Sequence, residues 1–127
     1  MEFFRVIEVK TEESEIQKRF NFHKLESMSN ELFLLEIIDK NHAQIGSLWG
    51  EFTLQRTLIK GGLRFALLEC PNALAWTITT GYEPAPEGMT IHLTINRTEK
   101  DQDFIEEIEE FLDDHSSLLQ KFYDCKD

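Results

Sequence analysis

Residues 103 to 122 read DFIEEIEEFLDDHSSLLQKF, and this stretch sets the architecture expected for the whole chain. Its apolar side chains recur at the i, i+3, i+4 and i+7 spacing of one helix face. The members of this stripe are Phe104, Ile105, Ile108, Phe111, Leu112, His115, Leu118, Leu119 and Phe122. The spacing predicts one amphipathic helix from residue 101 to 122, roughly 30 Å long at the usual rise per residue. Its stripe needs an apolar partner.

The segments before this helix supply that partner, because they are typical of β-strands. Runs rich in β-branched and aromatic residues alternate with Gly, Pro and Asn. The predicted strands cover residues 2–10, 31–38, 43–59, 63–70, 74–80 and 89–95. The 31–38 run, ELFLLEII, is apolar on both faces and therefore predicts an interior strand. Gly50 predicts a bulge that bends the long 43–59 segment.

A short helix is predicted between the first two strands. Residues 11–20 begin with Thr11 as a candidate N-cap, and Ile16 and Phe20 stand four apart. Residues 21–30 fit either a connection or a second helical turn. The sequence thus predicts an α+β fold, in which an antiparallel sheet of about five or six strands carries a short N-terminal helix. The long C-terminal amphipathic helix packs on one face of that sheet.

The chain of 127 residues predicts a single domain over residues 1–127, with a frayed tail at 124–127. The order of elements is similar to the helix-grip architecture of START-like proteins. That resemblance implies a curved sheet wrapped around the C-terminal helix, often with an apolar cavity between them. It is a resemblance of element order, without a sequence motif, so it concerns the fold.

Negative charge is concentrated in the last quarter of the chain. The formal net charge is -11, of which residues 99–127 contribute -8 and residues 1–98 contribute -3. Such a field repels nucleic acid and anionic lipid and attracts basic proteins. We therefore expect a basic protein partner, with no nucleic acid and no membrane. Since no signal peptide or membrane-length apolar run is found, the expected compartment is the cytoplasm.

The acids of the C-terminal helix are the first candidate site. On a helical wheel the outward-facing members of this set lie opposite the apolar stripe: Glu106, Glu109, Glu110, Asp113 and Asp114. These residues, together with Tyr82 on the loop 81–88, are predicted to contact the partner. A helix splays its carboxylates outward, so no metal site is expected. The competing interpretation is an ordinary solvated helix face.

The hairpin around residues 61–62 gives a second set of candidates. A two-residue Gly-Gly turn would pair Arg56 with Leu67 and Leu54 with Glu69. Arg56 and Glu69 then become diagonal neighbours on an apolar face, where a charge pair is expensive to bury. Such a pair predicts either a binding site or a salt bridge at the rim of the sheet.

His115 is the polar member of the apolar stripe. It fits either a buried histidine that is hydrogen-bonded to a strand, or a polar contact inside a ligand cavity.

Two classes of function follow, and the sequence shows no catalytic residues and no cofactor motif. The preferred one is a small acidic, non-enzymatic binding module of the inhibitor, immunity, adaptor or chaperone type, which docks a basic partner through its acidic C-terminal helix. The alternative is a helix-grip protein or enzyme that binds a small apolar ligand, with Arg56, Glu69 and His115 as polar contacts. A third, purely structural possibility is one subunit of an assembly, which an exposed strand edge or apolar patch would favour.

Overall fold

The structure is a computed structural model that describes residues 1–83, 86–96 and 102–124. Its strands are β1 (Glu2–Ile7), β2 (Leu32–Asp39), β3 (His42–Ser47), β4 (Gly50–Ile59), β5 (Gly62–Leu67), β6 (Ala75–Thr79) and β7 (Met89–Thr94). Its helices are α1 (Glu13–Arg19), α2 (Leu25–Met28) and α3 (Gln102–Asp124), and a 3-10 turn over Phe22–Lys24 precedes α2. The predicted α+β class and order of elements are confirmed, with one strand more than expected. Of the tail predicted at 124–127, Asp124 is the last residue of α3, and residues 125–127 lie outside the described part of the chain.

All seven strands form one antiparallel sheet, in the order β1-β7-β6-β5-β4-β3-β2. Strands β2 to β7 follow one another as neighbours, and β1 closes the far side next to β7. The strands that flank α1 and α2 in sequence therefore form opposite edges of the sheet. The prediction that residues 31–38 form an interior strand is wrong. The segment is an edge strand, and Leu32 is the one residue of β2 that is fully buried.

The additional strand comes from the 43–59 segment, which folds into a hairpin. Ser47 pairs with Gly50 at the end of β3 and β4, and Gly50 has a φ of 117°. The Ser47 hydroxyl donates to the Gly50 carbonyl at 2.9 Å and accepts from the Trp49 N–H at 3.1 Å. The predicted bulge at Gly50 is therefore wrong. The positive φ of this glycine reverses the chain instead of bending one strand.

The hairpin between β4 and β5 has a different register from the predicted one. Leu54 pairs with Leu67 and Arg56 with Phe65, so the turn is formed by Lys60 and Gly61. The pairing moves by two residues, which leaves every side chain on its predicted face. Gly62 belongs to β5, where it pairs with Ile59. A Cβ on this residue would lie 1.9 Å from the Ile78 carbonyl oxygen of β6. Close approach of two strands, rather than the turn, requires this glycine.

Helix α3 packs on one face of the sheet through its apolar stripe. Every member of the stripe is buried or half-buried, and Phe111 is fully buried. The Phe111 ring lies 5.3 Å from the Trp76 ring and 5.6 Å from the Trp49 ring, measured between centroids. The predicted apolar face of α3 is confirmed. Within the described residues, no helix is long and apolar enough to cross a membrane.

Helices α1 and α2 extend the core beside α3. Their buried side chains include Ile16 of α1 and Leu25 and Met28 of α2. The predicted N-cap Thr11 does not cap α1, which begins after Glu12. The Thr11 hydroxyl instead contacts the Tyr123 hydroxyl of α3 at 2.7 Å. The N-terminal helical segment is thereby fixed to the end of the C-terminal helix.

Candidate functional site

The outer side of α3 carries the acids that the sequence singled out. Glu106, Glu109, Glu110 and Asp113 are exposed, and we call these four residues the acidic ridge. Their spacing of i, i+3, i+4 and i+7 places them on one helix face about 10 Å long. The helix period explains this arrangement, because the opposite face is occupied by the apolar stripe.

The acidic ridge has little compensating positive charge. Arg5 of β1 donates from Nε to Asp113 Oδ1 at 2.8 Å, on the side of α3 that faces β1. No Lys or Arg of the described ranges forms an ion pair with Glu106, Glu109 or Glu110. Glu106 accepts a 3.3 Å hydrogen bond from the neutral side chain of Gln102. Among the residues that the structure describes, the ridge thus presents three carboxylates without an ion-pair partner to solvent.

Asp114 differs from the acidic ridge, although the sequence grouped it there. It is half-buried and accepts hydrogen bonds from the Ser29 hydroxyl at 2.9 Å, the Asn30 N–H at 2.9 Å and the Asn30 side-chain amide at 2.8 Å. These bonds fasten the loop between α2 and β2 to α3. Asp114 therefore has a structural role: it joins α3 to the loop before β2. Only the tertiary contact reveals this role, because the helix period places Asp114 among the outward-facing acids.

A further carboxylate, Glu31, adds to the negative charge beside α3. Burial raises the pKa of Glu31, and the charges of Asp114, Glu110 and Glu107 raise it further. We call these four residues the acid cluster. It continues the negative potential of α3 onto the start of β2. Within the described part of the chain, no group of three or more His, Cys, Asp or Glu side chains is arranged to hold a metal ion.

Tyr82 is exposed, but the structure places it at the β4–β5 turn. Its hydroxyl donates to the Lys60 carbonyl at 3.1 Å, and its ring covers Gly61. A Cβ on Gly61 would lie 2.5 Å from the Tyr82 ring, so the glycine is needed for this contact. The contacts of Tyr82 are thus with the hairpin rather than with the acidic ridge.

Arg56 lies on the core side of the sheet, at the end of α1. Its Nε donates to the Phe20 carbonyl at 2.7 Å, and Nη2 donates to the Gln17 carbonyl. Partial burial lowers the pKa of the Arg56 guanidinium. A cation is favoured here because the last carbonyls of a helix lack intrahelical partners and carry partial negative charge. Arg56 acts as a C-terminal cap supplied by a neighbouring strand.

Glu69 has separate partners, so the predicted pair with Arg56 does not form. Its carboxylate accepts from the Thr53 hydroxyl and from the Thr53 N–H, both at 2.6 Å. These two hydrogen bonds lower the pKa of Glu69, the hydroxyl contributing most. The register explains the difference: β5 ends at Leu67, and Glu69 lies in the turn beyond it.

His115 is fully buried on the inner face of α3. Its Nδ1–H donates to the Met28 carbonyl at the end of α2, at 2.6 Å, where the sequence had suggested a strand partner. Burial lowers the pKa of His115 to about 4, so the ring is neutral near pH 7. The ring stacks on Phe111 at 5.5 Å and meets Trp76 edge-on at 6.2 Å. Two aromatic rings therefore lie against the imidazole.

The three alternative ligand contacts are therefore not brought together. Arg56 binds α1, Glu69 binds the start of β4, and His115 binds α2, each through its own hydrogen bonds. This geometry gives no support to a common small-molecule site formed by these residues.

The second surface that stands out is the exposed side of β2, which the sequence did not identify. Four of its apolar side chains are well exposed: Phe33 at 52%, Leu35 at 52%, Ile37 at 39% and Ile38 at 55%. We call these four residues the apolar edge.

In comparisons with known proteins, neither a protein-family model nor a curated protein matches the sequence.

Proposed function

We propose that this protein is a cytoplasmic, non-enzymatic binding module, of the inhibitor, immunity, adaptor or chaperone type, that docks a basic protein through the acidic ridge. The observation that supports this most directly is the exposure of Glu106, Glu109 and Glu110 on one face of α3, without an ion-pair partner among the described residues. A basic partner supplies the missing positive charge.

The energetics of α3 support the proposal. Like charges three or four residues apart destabilise a helix by a few tenths of a kcal/mol per pair. The opposite face of α3 packs on the core through buried residues such as Phe111, and Glu106, Glu109 and Glu110 take no part in this packing. Glu106, Glu109 and Glu110 weaken the helix and form no ion pair within the described fold, so they are well suited to an external partner.

The form of the charge predicts how binding behaves. Unpaired surface charges attract an oppositely charged protein at long range, which raises the association rate. This attraction is screened over a Debye length of about 8 Å at physiological ionic strength. Binding is therefore expected to weaken as salt rises. Asp113 contributes less than the three glutamates because Arg5 already neutralises it.

A pull-down with charge-reversal variants of this protein tests the proposal. The ridge variant carries Glu106→Lys, Glu109→Lys and Glu110→Lys. The control carries Glu8→Lys, Glu83→Lys and Glu87→Lys, which are exposed acids outside α3. Both variants change the net charge equally, so a difference between them reports position rather than total charge.

In pull-downs from the native cell, wild type and control are expected to retain the same basic protein at low salt and to release it at high salt. The ridge variant should retain about tenfold less, since three close charge contacts are each worth roughly 0.5 kcal/mol or more. Equal retention by ridge variant and control would show that the acidic ridge does not bind the partner.

A further inference from the structure

We infer that β2 is a self-association strand: two copies of this chain pair antiparallel through their β2 edges and join their sheets, with Glu31 of each copy opposite Lys40 of the other. This interaction is separate from the docking of a basic protein by the acidic ridge. It rests on the free edge, on the apolar edge residues and on the distribution of charge along β2.

The edge of β2 is long and apolar for the edge of a natural sheet. Such edges are usually short, or carry charges, Pro or bulges. β2 has eight residues, six of them apolar, and it pairs within the described sheet only with β3. It does contain two register irregularities, and its charged residues are Glu36 and Asp39. The apolar edge remains exposed beside them.

The opposite edge, β1, is better protected. It has six residues and includes Glu2 and Arg5. The Arg5 guanidinium donates to the Phe4 carbonyl at 2.8 Å while its Nε binds Asp113 of α3. A charged side chain therefore occupies one backbone carbonyl of β1. This contrast selects β2 as the edge that is open to another strand.

The two ends of β2 carry opposite charge, which favours a second copy as the partner. The start of β2 adjoins the acid cluster: Asp114 binds Ser29 and Asn30 just before the strand, and its charge, with those of Glu110 and Glu107, acts on Glu31. At the other end the cations Lys40 and Arg56 line one surface cleft of about 220 Å³, which Asp39 also lines. Antiparallel pairing of two copies places each acidic end against a basic end.

Charge also selects the register. With Glu31 opposite Lys40, the apolar residues of the centre face one another: Phe33 opposite Ile38, and Leu34 opposite Ile37. If one strand slides by one residue in one direction, Glu31 lies opposite Asp39 of the other copy. If it slides by one residue in the other direction, Glu36 lies opposite Glu36 of the other copy. Both alternatives put like charges directly across from each other, which is destabilising.

Glu26 of α2 provides a direct probe of strand pairing. Its carboxylate accepts a 3.1 Å hydrogen bond from the Leu34 N–H, at the open edge of β2. In the pairing that we infer, a carbonyl of the second copy replaces this carboxylate. Removing the Glu26 side chain should therefore strengthen the dimer, whereas it would not affect an association through another surface.

The expected dimer is weak and depends on concentration. The four half-exposed side chains of the apolar edge offer on the order of 400 Å² per copy, about 800 Å² in total, which is below the usual size of a specific interface and fits a weak, transient one. Each copy also carries a net charge of -11, which opposes association. Measurements should therefore be made near physiological ionic strength, where the repulsion is screened beyond about 8 Å.

Sedimentation equilibrium of the purified chain, from about 1 μM to 1 mM, tests the inference. Wild type should pass from monomer to dimer within this range. Leu35→Glu should raise the Kd by about tenfold or more, because it places a charge within the paired strands. Leu68→Glu is the matched control: it makes the same substitution at a residue that is 49% exposed and lies outside β2. It should leave the Kd unchanged.

Charge swaps test the register. Glu31→Lys and Lys40→Glu should each weaken the dimer, and the double variant should restore it to within about threefold of wild type, because opposite charges again face each other. Glu26→Ala should lower the Kd by about threefold or more. Far-UV circular dichroism verifies that each variant is folded.

Three results would overturn the inference. One is a wild type that stays monomeric over the whole concentration range. A monomeric chain whose apolar edge binds a different protein would also overturn the inference. Another is a dimer that Leu35→Glu and Leu68→Glu weaken equally. The third is a double charge swap that is no better than the single ones. The ridge pull-down is independent of these results, so either proposal can fail alone.

Discussion

Helix α3 and strand β2 both carry several large apolar side chains, but α3 buries them and β2 leaves most of them exposed. The apolar stripe of α3 is covered along its whole length by the sheet and by α1 and α2, and its acids face outward. The apolar side chains of β2 mostly remain exposed at the rim of the sheet. A helix that rests on a sheet buries one face, which its own period defines. The burial of a strand depends on neighbours that its own sequence does not specify.

The largest expected difference concerns one phenylalanine from each element. Phe111→Ala removes a fully buried ring and should lower the free energy of unfolding by about 4 kcal/mol. Phe33→Ala removes a ring that is half-exposed at the apolar edge and should lower it by about 1 kcal/mol or less. Urea denaturation of both variants, at low protein concentration, measures the two losses. Losses of equal size would show that β2 is covered in the folded protein.

The next effect is the acid sensitivity conferred by His115. Its pKa is about 4 in the folded protein, whereas the ordinary value of 6.5 applies to the unfolded chain. The unfolded chain therefore takes up a proton at a higher pH than the folded protein. The contribution of His115 to stability is complete above pH 6.5 and is lost as the pH falls to 4, by about 3 kcal/mol in total.

His115→Gln isolates this contribution, because the surface carboxylates titrate alike in both proteins. Denaturant unfolding between pH 7 and pH 4 should show that wild type loses about 3 kcal/mol more than the variant. The variant itself should be less stable at pH 7, since it disturbs the bond to Met28. If both proteins lose the same amount, His115 does not titrate as a buried neutral ring.

The smallest effect separates two acids of α3 that the sequence grouped together. Asp114→Ala removes three hydrogen bonds to Ser29 and Asn30 and should cost about 1 to 2 kcal/mol. Glu109→Ala removes an exposed like charge and should change stability by about 0.3 kcal/mol, in the stabilising direction. Thermal unfolding at neutral pH compares them. Equal effects would mean that Asp114 is as free as the acidic ridge.

Sequence reasoning succeeded where a local period decides the outcome. The stripe from Phe104 to Phe122 defined α3 and its buried face, and the alternation of short apolar runs indicated an antiparallel sheet. The predictions were wrong where contacts with distant segments of the chain decide the structure. At Gly50, a glycine was compatible with both a bulge and a turn, and the pairing of Ser47 with Gly50 selected the turn.

The candidate site divides in the same way. The exposure of Glu106, Glu109 and Glu110 follows from helix geometry and was predicted from the sequence. The tie between Asp114 and the α2–β2 loop joins residues more than 80 positions apart, so no local pattern indicates it. The charges of Glu107, Glu110 and Asp114 that act on Glu31 likewise come from a segment far away in the chain.

The sequence by itself determined the α+β class, the order of the elements, the buried face of α3 and the position of its excess charge. These properties depend on side chains that are near one another in the chain, where periodicity and local charge density apply. The tertiary structure decided the order of strands in the sheet, which places β2 at an edge, and it gave separate partners to Arg56, Glu69 and His115. Those outcomes depend on contacts between distant segments, which form only when the whole chain packs.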